Sequence, residues 1–254
     1  MTNPGFKDFF SAKAAEYATF RPTYPDALFE FIASLPAARG TVWDCATGNG
    51  QAAIPLAKHF DRVIATDASA EQLRQATPHP RVSYDVALAH ASGLPDSSVD
   101  LVTVAQALHW LPLDPFVAEV RRVVAPGGAL AVWCYTMPKL GGVIDEIVDA
   151  YYSKTCGPYW APDRRLVDQG YATLAMPFDD VVSPSLHIEA RLTLDAFAGY
   201  LRTWSATQKL AAAIGRDPVI EVEEALRPHW GHATDAWLAR WPLHLRAGRV
   251  TQLG

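Results

Sequence analysis

A doubly wound α/β domain with a mostly parallel sheet is the architecture this sequence predicts, on three observations. Five short strand-like runs recur between residues 41 and 135, the fourth and fifth of them clearly apolar. Amphipathic runs of helical spacing separate most of them. The last observation is a pair of glycines directly after the first run and before a helix, the usual position of a ligand-binding turn in open α/β sheets. Alternating strands and helices of this kind argue for βαβ units, with right-handed crossovers covering both sheet faces.

The elements follow in order. Pro25 to Ala37 reads as a helix, because Leu28, Phe29, Phe31, Ile32 and Leu35 fall near i, i+3, i+4, i+7 spacing. Gly40 ends it, and Thr41 to Cys45 is a short buried strand. The glycine turn leads into a helix over Gln51 to Phe60, then Arg62 to Asp67 forms a second strand and Ala70 to Ala76 a second helix of the pair. Val82 to Val86 is a third strand and Val99 to Ala105 a fourth. Pro115 to Val124 is amphipathic and stops at Pro126-Gly127-Gly128, before a fifth strand over Ala129 to Tyr135. From 138 to 185 the chain turns rich in Pro, Gly, Tyr and Trp, with one helix expected around Val143 to Tyr152. His187 to Leu194 alternates like a strand, Leu194 to Thr207 and Pro218 to Leu226 read as helices, and Trp241 to Val250 supplies a seventh strand.

The bulk properties narrow the function classes. Half of the 254 residues are apolar, and the balance of 22 basic against 27 acidic residues leaves a net charge of −5. That balance, without a dense basic run, gives no nucleic-acid or membrane-surface footprint. Cys45, Cys134 and Cys156 are odd in number and widely spaced, which predicts reduced thiols in a cytoplasmic protein. No secretory leader is expected in MTNPGFKDFF, and no apolar run has the roughly 18 residues of a membrane span. The eight histidines show no metal-ligand spacing, so no metal is expected.

The chemistry is expected in Asp44-Cys45-Ala46-Thr47-Gly48-Asn49-Gly50. Glycines there let the backbone approach a ligand without a Cβ in the way. Asp67, ending the second strand, is placed to accept hydrogen bonds from both ribose hydroxyls of an adenosine. Ala53 stands where a dinucleotide fingerprint has its third glycine, a permitted replacement, so an NAD(P)-dependent oxidoreductase stays open. Asp44 favours S-adenosylmethionine, because a carboxylate facing the ligand suits a cationic amino acid and repels a pyrophosphate.

These residues resemble the first motif of the class I S-adenosylmethionine-dependent methyltransferases, Asp-x-Gly-x-Gly-x-Gly, with Asp44, Ala46, Gly48 and Gly50 in register and Ala46 replacing the first glycine. The resemblance continues through Val63 to Ser69, Ser92 to Val102, Ala105-Gln106-Ala107-Leu108-His109-Trp110 and Arg122 to Gly128. With Ala14 to Tyr17 and Phe20 to Pro25, it is similar to the type 11 branch and its trans-aconitate methyltransferase-like members. It implies a Rossmann-like, seven-stranded single domain over 1–254: core about 26–137 and 186–254, an N-terminal lid about 1–25, and a cap insertion about 138–185 after strand five.

By position, the resemblance implies that Gly48 and Gly50 line the methionine part, with Asn49 between them also in the cofactor site, that Asp67 takes the ribose and that Ala68 lies beside the adenine. Ala89 and His90 fall at an adenine contact that is commonly acidic, and Gln106 faces the methyl end. Tyr17 and Arg21 form the lid, with Arg21 pairing the cofactor carboxylate. His109 and Tyr135 are the catalytic candidates, with His109 either accepting a proton or hydrogen-bonding an acceptor carboxylate. Arg164, Arg165 and Arg202 are the basic residues able to meet an anionic substrate. The expected acceptor is a small molecule, and a non-catalytic S-adenosylmethionine-binding protein remains the other alternative.

Overall fold

The structure is a computed structural model that describes residues 23–179, 181–232 and 234–251. The sequence-predicted lid residues Tyr17 and Arg21 lie outside the described residues. Seven strands form one sheet in the order β3-β2-β1-β4-β5-β7-β6. They are β1 (Thr41–Cys45), β2 (Arg62–Asp67), β3 (Val82–Val86), β4 (Val99–Ala105), β5 (Val124–Tyr135), β6 (Leu186–Leu192) and β7 (Trp237–Arg249). The first five pair in parallel, whereas β7 runs antiparallel to both β5 and β6, so the sheet is mixed.

Period-2 alternation within the strands feeds two separate cores, as a sheet buried on both faces requires. Val42, Val63, Ala131 and Trp133 face one core with Leu28, Phe29 and Ile32 of helix α1 (Asp26–Ala33). Trp43, Val102, Val104 and Val132 face the other with Phe116, Val120 and Val123. Those last three belong to helix α4 (Leu113–Val123), following two short helices, α2 (Ala53–Leu56) and α3 (Ala70–Arg74). Ser69 caps α3, accepting the Gln72 N–H at 3.3 Å.

After β5 the chain builds α5 (Gly142–Ala150), a π turn over Tyr151–Thr155, a 3-10 turn over Gly157–Tyr159 and α6 (Arg164–Asp168). Beyond β6 come α7 (Leu194–Arg202), α8 (Ser205–Ile214) and α9 (Val219–Trp230). One helix was expected over 194–207. The chain divides there because Trp204 is extended (φ −68°, ψ 132°), starting α8 in a new direction. The helix expected over 51–60 is a single α turn within tighter turns, with Pro55 inside it unable to donate a backbone hydrogen bond. Strand β7 begins earlier than expected, at Trp237. All three cysteines are free and buried. No helix among the described residues is long and apolar enough to cross a membrane.

Phe116 is fully buried against Trp43, with ring centroids 6.3 Å apart. Truncation there removes this ring contact between α4 and β1 and leaves a cavity. Phe116→Ala is expected to lower the unfolding free energy by about 3–5 kcal/mol, read from urea or guanidinium titration.

Candidate active site

The loops at the carboxyl ends of β1, β2 and β4 converge on one place, and a few hydrogen bonds hold them. The Asp67 carboxylate accepts the Gly48 N–H through Oδ2 and the Ser69 N–H through Oδ1, both at 2.8 Å. The Thr47 N–H donates to the Thr66 carbonyl at 2.9 Å, so the turn after β1 is tied to the end of β2 twice. Gly48 has φ +59° and no atom closer than 3.9 Å to where a Cβ would sit, leaving its face open for a ligand.

Gly50 has another task. A Cβ there would meet the Tyr84 hydroxyl at 2.5 Å, and Gly50 is buried, so its missing side chain admits the Tyr84 ring rather than a cofactor. This departs from the expectation of a methionine contact. Ala46 adopts φ 55°, a left-handed conformation that costs an L-residue roughly 1–2 kcal/mol and suits the glycine it replaces.

Asp44 departs from expectation as well. Its carboxylate is fully buried and does not reach the cavity; it accepts the Thr47 hydroxyl at 2.5 Å and the Thr103 hydroxyl at 2.8 Å. Burial pushes its pKa up to about 6, against the opposing pull of these two donors. Asp44 therefore stiffens the loop from behind.

Gln106 follows β4 at φ 54°. Its side chain closes a two-point clamp on Tyr135: Nε2 donates to the Tyr135 carbonyl at 3.3 Å, and Oε1 accepts the Tyr135 N–H at 2.8 Å. The Gln106 backbone N–H donates to the Trp133 carbonyl at 2.8 Å. Its side-chain amide thus extends the β4–β5 pairing one step past the sheet edge.

These loops surround a cavity of about 810 Å³. Of the residues singled out in the sequence, Ala46, Gly48, Asn49, Asp67, Ala68, Ala89, His90, Gln106, His109 and Tyr135 line it, and Asp44 and Gly50 do not. It is wide enough for a nucleoside joined to an amino acid, with Asp67 at one end and Gln106 at the other. Asp67 fits a ribose diol because carboxylate oxygens accept more than one donor each. A side chamber of about 40 Å³ opens beside it, sharing Gln106, His109, Trp110 and Tyr135 and walled by Met137, Trp160, Tyr200 and Trp204.

His109 sits at the junction of the two spaces. Its Nδ1 lies 2.9 Å from the Tyr171 hydroxyl, and Trp110 packs beside its ring at 4.5 Å. Burial, then the nearby Arg164 guanidinium, push its pKa down to about 3. The ring is therefore neutral at pH 7 and already engaged in a hydrogen bond with Tyr171.

The arginines separate cleanly. Arg164 lines the chamber; Arg202 is held by Asp217 at 2.7 Å and Glu223 at 2.5 Å; Arg165 lines neither space. Sequence reasoning missed Thr47 and Thr103 as partners of the motif carboxylate. A hydroxyl three residues after Asp44 was a visible signal for the first, whereas Thr103 arrives only through sheet pairing. Nothing in its local sequence marks Tyr171 as a partner of His109. Among the described residues no cluster of His, Cys, Asp or Glu could hold a metal ion.

A family profile described as a methyltransferase domain matches residues 43–132, spanning β1 to β5. A Dictyostelium discoideum protein assigned as a methyltransferase is 33% identical over 235 residues, covering 89% of each chain. A Saccharomyces cerevisiae protein assigned as an S-adenosylmethionine-dependent methyltransferase is 28% identical over 230 residues, covering 76% of this chain and 79% of the relative. A solved structure from Anaeromyxobacter dehalogenans, assigned as a type II methyltransferase, is 44% identical with a TM-score of 0.86, covering 92% of this chain and all of the other. These relatives favour the methyltransferase reading over the dinucleotide one, and none is described as a trans-aconitate methyltransferase.

The buried carboxyl makes a prediction of its own. Asp44 has a folded-state pKa near 6, above its unfolded value of 3.8. Its charge therefore opposes folding fully above about pH 6 and hardly at all below about pH 4. Asp44→Asn is expected to raise the melting temperature at pH 8, with a smaller gain at pH 5. An equal gain at both pH values would contradict the assignment.

Proposed function

Because the chain belongs to the S-adenosylmethionine-dependent methyltransferases, we propose that it methylates a small organic acceptor bound at the mouth of the side chamber, beside Gln106 and Tyr135. The observation that carries this reading is the continuity of the two spaces: the cavity running from Asp67 to Gln106 shares four wall residues with the chamber. A cofactor lying along it with its ribose on Asp67 presents its other end to the chamber mouth. When bound, S-adenosylmethionine supplies a methyl group already activated by its sulfonium.

The protein's own contribution is alignment and exclusion of water, worth up to about 7–11 kcal/mol in well-oriented systems. Asp67 holds the ribose, Gly48 and Asn49 flank the amino acid part, and Ala68, Ala89 and His90 border the adenine. Gln106, fixed by its clamp on Tyr135, sets the wall at the methyl end. Tyr17 and Arg21 are proposed to close over the cofactor, and 138–185 to cap the chamber. The mild charge and three free thiols support a cytoplasmic enzyme working on metabolites rather than nucleic acid or membranes.

A carboxylate is the acceptor this site suits best. It is ionised at neutral pH and needs no general base, and the chamber's histidine is too weak a base to provide one. A hydroxyl or carbon acid would need a base, and among the described residues no carboxylate side chain lines the chamber to supply one.

Calorimetry with S-adenosylhomocysteine tests the cofactor site. Saturable binding is expected, weakened about 10- to 150-fold in Asp67→Ala, the loss of charge-assisted hydrogen bonds worth roughly 1.5–3 kcal/mol. Incubating S-adenosylmethionine with small carboxylic acids and weighing the products is expected to reveal the mass of one added methylene. Unchanged affinity in Asp67→Ala would overturn the ribose assignment.

A further inference from the structure

The side chamber has an electrostatic character that its aromatic walls conceal. Arg164 enters it from the first turn of α6. Its Nε is engaged, donating to the Tyr152 hydroxyl at 3.0 Å and the Asp168 carboxylate at 3.2 Å. Its guanidinium carbon lies 4.9 Å from the Trp160 ring centroid and 5.6 Å from that of Tyr152, so the aromatic rings fix the plane of the fork. Among the described residues neither Nη has a hydrogen-bond partner, and the guanidinium is held with donors still to place.

The second donor is His109. The Tyr171 hydroxyl is fully buried and meets no other acceptor among the described residues, so directing its hydrogen at His109 Nδ1 satisfies both groups. A neutral imidazole that accepts at Nδ1 carries its proton on Nε2, which makes it a donor there. Tyr171 is itself held at φ 61°, a costly conformation for a bulky residue that is fully buried beneath the site. Among the described residues no Asp or Glu lines the chamber; Asp168 meets Arg164 at Nε, and Asp163 lines only the larger cavity.

We propose that Arg164 and His109 form an anion subsite in which Tyr171 acts as a positioning residue, and that it selects acceptors carrying a carboxylate on a flat apolar body. This rests on the methyltransferase reading for its purpose but not for its geometry. Planar recognition of a carboxylate is what a guanidinium fork does best. The chamber's own volume, about 40 Å³, suits the carboxylate group, and the apolar body of the ligand extends past Trp110 and Tyr135 into the larger cavity that shares them. Methylation at that carboxylate balances without a proton: an oxygen lone pair forms the new bond to carbon, the sulfur–carbon bond breaks, and the products are a methyl ester and S-adenosylhomocysteine.

The test compares benzoate, trans-cinnamate and 2-naphthoate with their own carboxamides by calorimetry, with and without saturating S-adenosylhomocysteine. At least one acid is expected to bind tenfold or more tightly than its amide. In Arg164→Met that ratio falls towards one while S-adenosylhomocysteine affinity stays within about twofold. In Tyr171→Phe the ratio also falls, and the His109 ring 15N shifts move away from a pure Nε2–H tautomer. Acids binding no more tightly than their amides, or a preference that survives Arg164→Met, overturns the proposal. Failure of S-adenosylhomocysteine to bind would instead count against the methyltransferase reading, because the acid–amide ratio is measured without it as well.

Discussion

The carboxylate of Asp67 holds two loops in one position, and the site depends on that arrangement. One oxygen takes the N–H of Gly48 from the turn after β1, the other the N–H of Ser69 from the turn after β2. Ser69 in turn caps α3. A single side chain thus couples the open glycine, the next helix and the edge of the cavity. Because each bond is charge-assisted and partly buried, it contributes more than a neutral pair on the surface. The same carboxylate faces the cavity, so the group that shapes the pocket is also part of its lining.

Asp44 complements it from the far side of the loop. Two threonine hydroxyls donate to it. Its charge is costly to keep buried, and the threonines offset only part of that cost. The result is a loop pinned between a half-buried acid that lines the pocket and a buried acid that does not. Ala46, strained between them, shows how firmly the surrounding bonds set the backbone.

Much of this was legible in the sequence, unevenly. The apolar runs of β1, β2, β4 and β5 are strong because both faces are buried, and no alternation dilutes the signal. The direction of β7 was not legible: an apolar strand reads the same whether its neighbour is parallel or antiparallel. The break at Trp204 was hidden because helical spacing carries through it. At the site, the motif identified Gly48 and Asp67 as lining residues, yet a pattern of glycines cannot say which one faces a ligand and which admits a tyrosine ring. Arg164, His109 and Tyr171 meet only through tertiary packing, across 62 residues of chain between the last two. No local rule could have joined them.

The three thiols offer a consequence of a different kind. Cys45 lies in β1, Cys134 in β5 and Cys156 just past the π turn, each essentially inaccessible. Burial also raises their pKa values, suppressing the thiolate that reacts. An alkylating reagent therefore waits for the protein to open. Since Cys45 and Cys134 belong to the core on one face of the sheet and Cys156 to the core on the other, the order in which they are labelled reports which face loosens first.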